Sequence, residues 1–210
     1  MNKNLQEIGT NIHPATDNLD AYIKEETEMT RTIKTAQEGF LKESLDFVEK
    51  VFTESENAES GKLVRSLVKE IRSKRFYIPE LDLVMVNEEN CVIGLAIFSK
   101  FHLDGKYENQ LLLLSPVAIK TELQRQHISK DLIEAGFEKA KALGYEAVIV
   151  EGNPQNYNSR GFETSHQHGI VASPKIGLPA VECLMVKELV TGALSHIKGT
   201  VDYSDYECLQ

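Results

Sequence analysis

The chain has 210 residues, with 23 Lys+Arg against 32 Asp+Glu and a formal net charge of −9. That length fits one domain with an extension better than two full domains. The acidic balance argues against nucleic acid and anionic membrane as partners, because phosphate-backbone affinity comes from counterions displaced by Lys and Arg, and it favours cationic ones.

Apolar residues at 41% with charged residues at 26% mark a globular chain. The longest nearly apolar stretch, Leu111 to Ile119, is interrupted by Ser115 and Pro116, far short of the roughly 20 apolar residues of a membrane span. Met1 to Asp20 shows no apolar core with a cleavage-like flank. The three cysteines, Cys91, Cys183 and Cys208, are widely spaced, which suits neither a disulfide framework nor a zinc site. A cytoplasmic location is therefore expected. Cys91 and Cys183 read as core residues and Cys208 as part of the tail.

Residues 1–27 read as an N-terminal extension, with a short helix near Leu19 to Ile23; 28–190 form the main domain and 191–210 a C-terminal tail. Thr30 to Ile33 is a candidate short strand. Phe40, Leu41, Leu45, Val48, Val51 and Phe52 recur at helical steps, as do Leu63, Val64, Leu67, Val68 and Ile71. The polar run Thr53 to Ser60 and Gly61 separate these two helices. The period then changes to that of strands: Leu81 to Val86, Cys91 to Leu103 and Gln110 to Ile119. Glu88–Asn90 forms a turn, and Asp104-Gly105 is a hairpin signal. The third strand is apolar on both faces and so central.

Ile128, Leu132, Ile133, Gly136, Phe137, Ala140 and Leu143 line one face of a helix that Gly144 ends. Ala147 to Val150 follows as a strand parallel to the central one. Gly152-Asn153-Pro154 breaks the chain before a short helix over Gln155 to Ser159, and Val181 to Leu189 is the last strand. The fold class is α+β: a mixed central sheet, an antiparallel meander plus one βαβ crossover, flanked by helices.

The crossover carries the chemical signal. A polar loop, Lys120 to Gln126, leads into a helix whose first turn presents unpaired N–H groups and a positive dipole end, an anion site in waiting. Lys120, Arg125 and Lys130 add positive charge in an acidic chain, although any strand-to-helix loop is polar. Pro116 cannot donate to a ladder, so the central strand is bulged there, splaying it from its parallel neighbour, or Pro116 only marks a local edge.

These segments resemble the GNAT N-acetyltransferase superfamily. Ser115-Pro116-Val117-Ala118-Ile119 is similar to its fourth strand, and Gln124-Arg125-Gln126-His127-Ile128-Ser129 lies on its Q/R-x-x-G-x-G/A motif. Gly152-Asn153-Pro154-Gln155-Asn156-Tyr157, with Gly161-Phe162, looks like its fifth strand end, fourth helix and Gly-Phe turn. Val92 to Ser99 resembles its third strand, and Met185 to Tyr203 resembles a bacterial branch of predicted acetyltransferases.

The resemblance implies a GNAT fold splayed at the middle strands and acetyl-coenzyme A as co-substrate. Val117, Ala118 and Ile119 would lie along the pantetheine, with the backbone of Val117 and Ile119 pairing to its amides. Gln124, Arg125, Gln126, His127, Ile128, Ser129 and Lys130 would hold the pyrophosphate, and Asn153 or Asn156 the cofactor arm. Tyr157 stands where the family places its general acid, its pKa to be lowered by a helix N-terminus. Glu151, at a strand end, is the candidate base.

The expected activity is acetyl transfer to a primary amine of a small molecule or peptide; another acyl group or an alcohol acceptor is a further option. The partners are that amine and, as an allowance, a second copy of the chain in a homodimer. His127 and Ser129 stand where the motif has glycines, a departure costing about 1–2 kcal/mol where φ is positive. It favours the alternative of a catalytically inactive GNAT-like module binding coenzyme A or a protein partner. His166 and His168 flank one position of an extended segment without a third ligand, so no metal is expected; they read as a loop wall of the substrate pocket.

Overall fold

A computed structural model describes residues 30–209 of the protein. The extension at 1–27 and the short helix near 19–23 lie outside the described residues. Strand β1 is Thr32–Thr35, followed by helices α1 (Leu41–Ser55) and α2 (Ala58–Ser73). The meander is β2 (Asp82–Val86), β3 (Val92–Leu103) and β4 (Lys106–Ile119). The crossover helix α3 (Ile128–Ala142) leads to β5 (Ala147–Glu151), and the single turn α4 (Pro154–Tyr157) follows. The remaining strands are β6 (Glu163–Thr164), β7 (Ile170–Ala172), β8 (Leu184–Glu188) and β9 (Gly199–Val201).

Seven strands form one sheet in the order β1-β2-β3-β4-β5-β8-β6, and β7 and β9 form a separate parallel pair. In the large sheet only β4 and β5 run parallel; each other neighbouring pair is antiparallel. The crossover thus produces the pairing that a strand–helix–strand connection requires. The α+β mixed sheet is the architecture read from the sequence.

Each face of the sheet is covered. On one, α1 and α2 bury Val48, Val51, Val68 and Ile71 together with Ile197, Val201 and Tyr206. On the other, α3 buries Leu132, Ile133, Phe137 and Ala140. Leu111, Leu112 and Leu114 of β4 are 0–1% exposed, as a strand covered on both faces must be. Asp104 (φ 52) and Gly105 (φ 77) are both left-handed, the paired positive φ of a two-residue hairpin turn.

Several boundaries move. The helices α1 and α2 run to Ser55 and from Ala58, so the polar run Thr53 to Ser60 is mostly helical. Gly61 lies inside α2 because the helices cross closely there: a Cβ would overlap Thr53 Oγ1 and approach Glu49 O to 2.6 Å. Strand β4 starts at Lys106, and Val181–Cys183 is a 3-10 turn rather than strand. The segment read as a tail is packed: Leu194, Ile197, Val201 and Tyr206 are buried. Cys91 is exposed, held in a turn by its N–H to Asn87 Oδ1 at 2.8 Å, and Cys183 is half-buried, so neither is a core residue. Among the described residues no helix is long and apolar enough to cross a membrane.

Candidate active site

Strands β4 and β5 pair at Leu111–Ala147, Leu112–Val148 and Leu113–Ile149 and no further. Beyond that point β5 stays with β8 as far as Glu151, and β4 stays with β3. The sheet therefore opens between its two middle strands. The β3 register explains how. Ala96 faces Val117 and Phe98 faces Leu114, so three steps along β4 match two along β3. This is a bulge at Ser115–Pro116, where proline has no N–H to give.

The main-chain directions follow from the ladder. The Lys120 N–H bonds Ile93 O at 3.0 Å. In an antiparallel ladder bonded and non-bonded pairs alternate. Ala118, opposite Leu95, thus turns its N–H and C=O to β3, whereas Val117 and Ile119, opposite Ala96 and Gly94, turn theirs into the opening.

The loop after β4 ends with two left-handed residues, Arg125 (φ 65) and His127 (φ 63), the latter capping α3. Ser129 is already helical, so of the two non-glycine positions His127 alone carries the left-handed strain, and Arg125 is a second strained residue that the motif comparison did not flag. Two further arginines close on this loop. Arg31 donates Nη1 to Gln126 O at 3.0 Å and Nη2 to Gln126 Oε1 at 2.6 Å. Arg160 donates Nη2 to Ser129 Oγ at 2.8 Å.

Both arginine Nε atoms are buried without a hydrogen-bond partner. Among the described residues Lys130 pairs with Glu134 at 3.9 Å, while Arg31, Lys120, Arg125 and Arg160 have no carboxylate partner. A guanidinium against the first turn of a helix opposes the helix dipole. In a chain of net charge −9, such a grouping is stabilised by an anion placed between the arginine and the turn.

On the α1/α2 side, the opening continues into a cavity of about 1030 Å³. Ser115, Glu151 and Asn153 lie at the strand ends, with Ile71 of α2 and Tyr203 and Tyr206 of the last segment as walls. Tyr203 donates its hydroxyl to Glu151 Oε2 at 3.0 Å. Burial, and then the Glu151 charge, push the Tyr203 phenol well up, so it stays protonated and remains the donor.

Tyr157 lies elsewhere. Asn153 caps α4, its Oδ1 accepting the Gln155 N–H at 3.0 Å, and Tyr157 is the last residue of that turn. It thus sits at the C-terminal end, not the N-terminus expected to lower its pKa. Burial pushes the Tyr157 phenol up, with the Arg160 charge working against it. Its ring packs edge-on against Phe162 at 5.6 Å and over Gly152, where a Cβ would come within 2.7 Å of it. Asn156 is exposed on α4 and, like Tyr157, does not line the cavity.

His166 and His168 lie on a 3-10 turn, Ser165–His168, rather than an extended segment, and His168 Nε2 meets Glu163 Oε2 at 2.8 Å. His166 lines a separate cleft of about 340 Å³, not the substrate cavity. Among the described residues no group of three or more His, Cys, Asp or Glu could hold a metal ion. The structure brings together Val117, Ile119 and the Gln124–Lys130 loop on one side of the opening and Glu151 with Asn153 on the other. Sequence reasoning missed Arg31, Arg160 and Tyr203. Arg160, a lone cation directly before Gly161-Phe162, was the one with a legible signal.

The model of the acetyltransferase (GNAT) family matches residues 45–164, more than half of the chain. An uncharacterised N-acetyltransferase of Escherichia coli K12, YhbS, is 28% identical over 141 residues, 67% of this chain and 80% of its own length. The crystal structure of Escherichia coli YhbS in complex with CoA is similar with a TM-score of 0.69 at 24% identity, covering 83% of this chain and 90% of that one. A GNAT family acetyltransferase from Brucella melitensis in complex with acetyl-CoA is similar with a TM-score of 0.59 at 17% identity, covering 87% and 99%.

Proposed function

The chain belongs to the acetyltransferase (GNAT) family, and on that premise we propose that it transfers the acetyl group of acetyl-CoA to a primary amine by direct attack. The observation that carries this reading is the opening between β4 and β5 after three paired residues. There Val117 and Ile119 offer main-chain groups to an extended, amide-bearing ligand. The CoA of the YhbS structure and the acetyl-CoA of the Brucella melitensis structure support the same ligand here.

The residues present fit that ligand. Pantetheine amides suit the exposed N–H and C=O of Val117 and Ile119. The diphosphate suits the α3 first turn together with Arg31 and Arg160, whose Nε atoms are buried without a hydrogen-bond partner. Glycine is absent from the loop and Arg125 and His127 are both left-handed, at about 1–2 kcal/mol each, but a charge-assisted hydrogen bond from each of the two arginines contributes roughly 1.5–3 kcal/mol. Side-chain cations thus offset what the glycine motif supplies elsewhere in the family.

In the reaction the amine nitrogen bonds the thioester carbonyl carbon and the C–S bond breaks; of the three ammonium protons one is lost before the attack, a second leaves as the tetrahedral adduct collapses and the third stays on the amide, while the departing sulfur takes up one. Glu151, held by Tyr203, draws the ammonium to the strand end and takes its proton through water. The Val117 N–H polarises the carbonyl. An ordinary phenol pKa of about 10 already exceeds a thiol's of about 8.5, and burial of Tyr157 widens the gap. Tyr157, packed over Gly152 on the α3 side of the opening rather than in the cavity, therefore serves a sulfur placed there as a hydrogen-bond donor more than by complete proton transfer. The free thiols support a reducing, cytoplasmic setting.

A melting-temperature scan with acetyl-CoA tests the reading. Ligand at 100 times Kd adds about 2.7 kcal/mol to folded-state stability, and thiol release with an amine panel then reports turnover. No shift at millimolar acetyl-CoA overturns the proposal.

A further inference from the structure

We infer that the acceptor is a primary monoamine carrying an apolar aliphatic or aromatic body, a deduction that rests on the acetyl-transfer reading above. The cavity beside the strand opening, about 1030 Å³, falls in the size range of small-molecule sites. Its charged lining is sparse: Glu151, Asp202 and Lys175. Asp202 is held below the usual carboxylate range by hydrogen bonds from Ser204, with a smaller contribution from Lys175. The three charges sum to one negative, and of the two carboxylates Glu151 is the one at the strand opening.

Glu151 also has the position an ammonium needs. It ends β5 where β4 and β5 have parted, and Tyr203 fixes its Oε2 at 3.0 Å. Among the described residues its Oε1 has no hydrogen-bond donor. The rest of the wall is mostly apolar, with Leu67 and Ile71 of α2, Leu113, Ile176 and Leu209, and its neutral polar groups are Ser115, Asn153, Ser204 and the two tyrosines. An amine bound at Glu151 therefore lays its body on hydrocarbon. A polyamine would bring two or more ammonium groups to a lining whose charges sum to one negative, so Asp202 could take a second ammonium only in competition with Lys175, and the rest would lie on hydrocarbon, which is costly without a partner. A peptide amine would press unpaired amides on the same side chains.

The wall is fixed rather than induced. The Glu70 carboxylate on α2 accepts the N–H of Glu207 at 2.7 Å and of Cys208 at 3.1 Å, and Tyr206 OH meets Ser99 Oγ at 3.4 Å. The segment bearing Tyr203 and Leu209 is thus tied to the helix across the cavity.

The test is a homologous series of n-alkylamines from propylamine to octylamine, with phenethylamine and spermidine alongside. Acetyl transfer is followed by thiol release, and binding by the melting temperature of the CoA-loaded protein. Each methylene that enters the apolar wall raises kcat/KM by roughly fourfold, phenethylamine exceeds propylamine, and spermidine is the poorest substrate. Leu209→Asp, at a position 40% exposed, reduces transfer to octylamine at least fivefold more than transfer to propylamine. A flat or falling series, a preference for spermidine, or neither transfer nor stabilisation with any alkylamine overturns the inference. Stabilisation that rises with chain length without any thiol release keeps the pocket assignment and overturns acetyl transfer instead.

Discussion

Arg160→Met removes the guanidinium and keeps the stem, and so isolates the charge placed against the first turn of α3. Arg160 Nη2 bonds Ser129 Oγ at 2.8 Å, and its Nε is buried without a partner. One guanidinium–phosphate hydrogen bond at roughly 1.5–3 kcal/mol corresponds to about 10- to 150-fold in affinity. Part exposure and solvent screening favour the lower end, so CoA binding is expected to weaken by about 10- to 30-fold. Titration calorimetry with CoA and with pantetheine separates the causes: pantetheine lacks the diphosphate, and its affinity is expected to stay within twofold. The protein alone is expected to keep or slightly raise its melting temperature, because the variant removes a cation from the positive end of a helix. A purely structural Arg160 gives the opposite pattern, a lower melting temperature and equal losses for both ligands. That result, or CoA affinity unchanged within twofold, refutes the argument.

Three further outcomes follow from the geometry. His127→Gly relieves a left-handed non-glycine residue at about 1–2 kcal/mol while adding unfolded-state freedom of about 0.5–1 kcal/mol; denaturant titration is expected to show a gain of up to about 1.5 kcal/mol, and a clear loss contradicts it. Tyr157→Phe is expected to lower kcat by about 10², and a change under twofold in thiol release removes Tyr157 from the chemistry. Glu70 is pushed up by burial, but hydrogen bonds from Cys208, Glu207 and Lys74 outweigh this and hold its carboxyl down at about 2, against an ordinary 4.5. A depressed folded pKa stabilises above the unfolded value and is lost as pH falls toward the folded one. The stability difference between the wild type and Glu70→Gln is therefore expected to be full above pH 5 and to vanish towards pH 2; a pH-independent difference rules out the linkage.

The half of the site proposed to hold the nucleotide was legible because it is local. A central strand broken by Pro116, a polar loop and an amphipathic helix lie in one run of sequence, and each is shaped by its near neighbours. Of the two readings of Pro116, the β3 register shows the bulge rather than a local edge, and β4 parts from β5 beyond Leu113–Ile149. The boundary of α2 was misread for the converse reason: Gly61 signals a break locally, yet it is required by the crossing of α1 at Glu49 and Thr53.

The half proposed to hold the acceptor was illegible for the same reason on a larger scale. Its walls are assembled by contacts between residues far apart in the chain: Glu70 with Cys208, Ser99 with Tyr206 and Glu151 with Tyr203. The segment after Glu188 shows neither helical nor strand periodicity, because its side chains answer to α2 and β3 rather than to one another. A proline in a central strand, a polar loop and an amphipathic helix can therefore announce a cleft locally, while on the proposed reading the choice of acceptor depends on where the last segment of the chain docks. Substitutions in 202–209 are accordingly expected to shift the preference among amines far more than the affinity for CoA. Amine kcat/KM ratios and CoA titrations on the same variants measure the two effects separately.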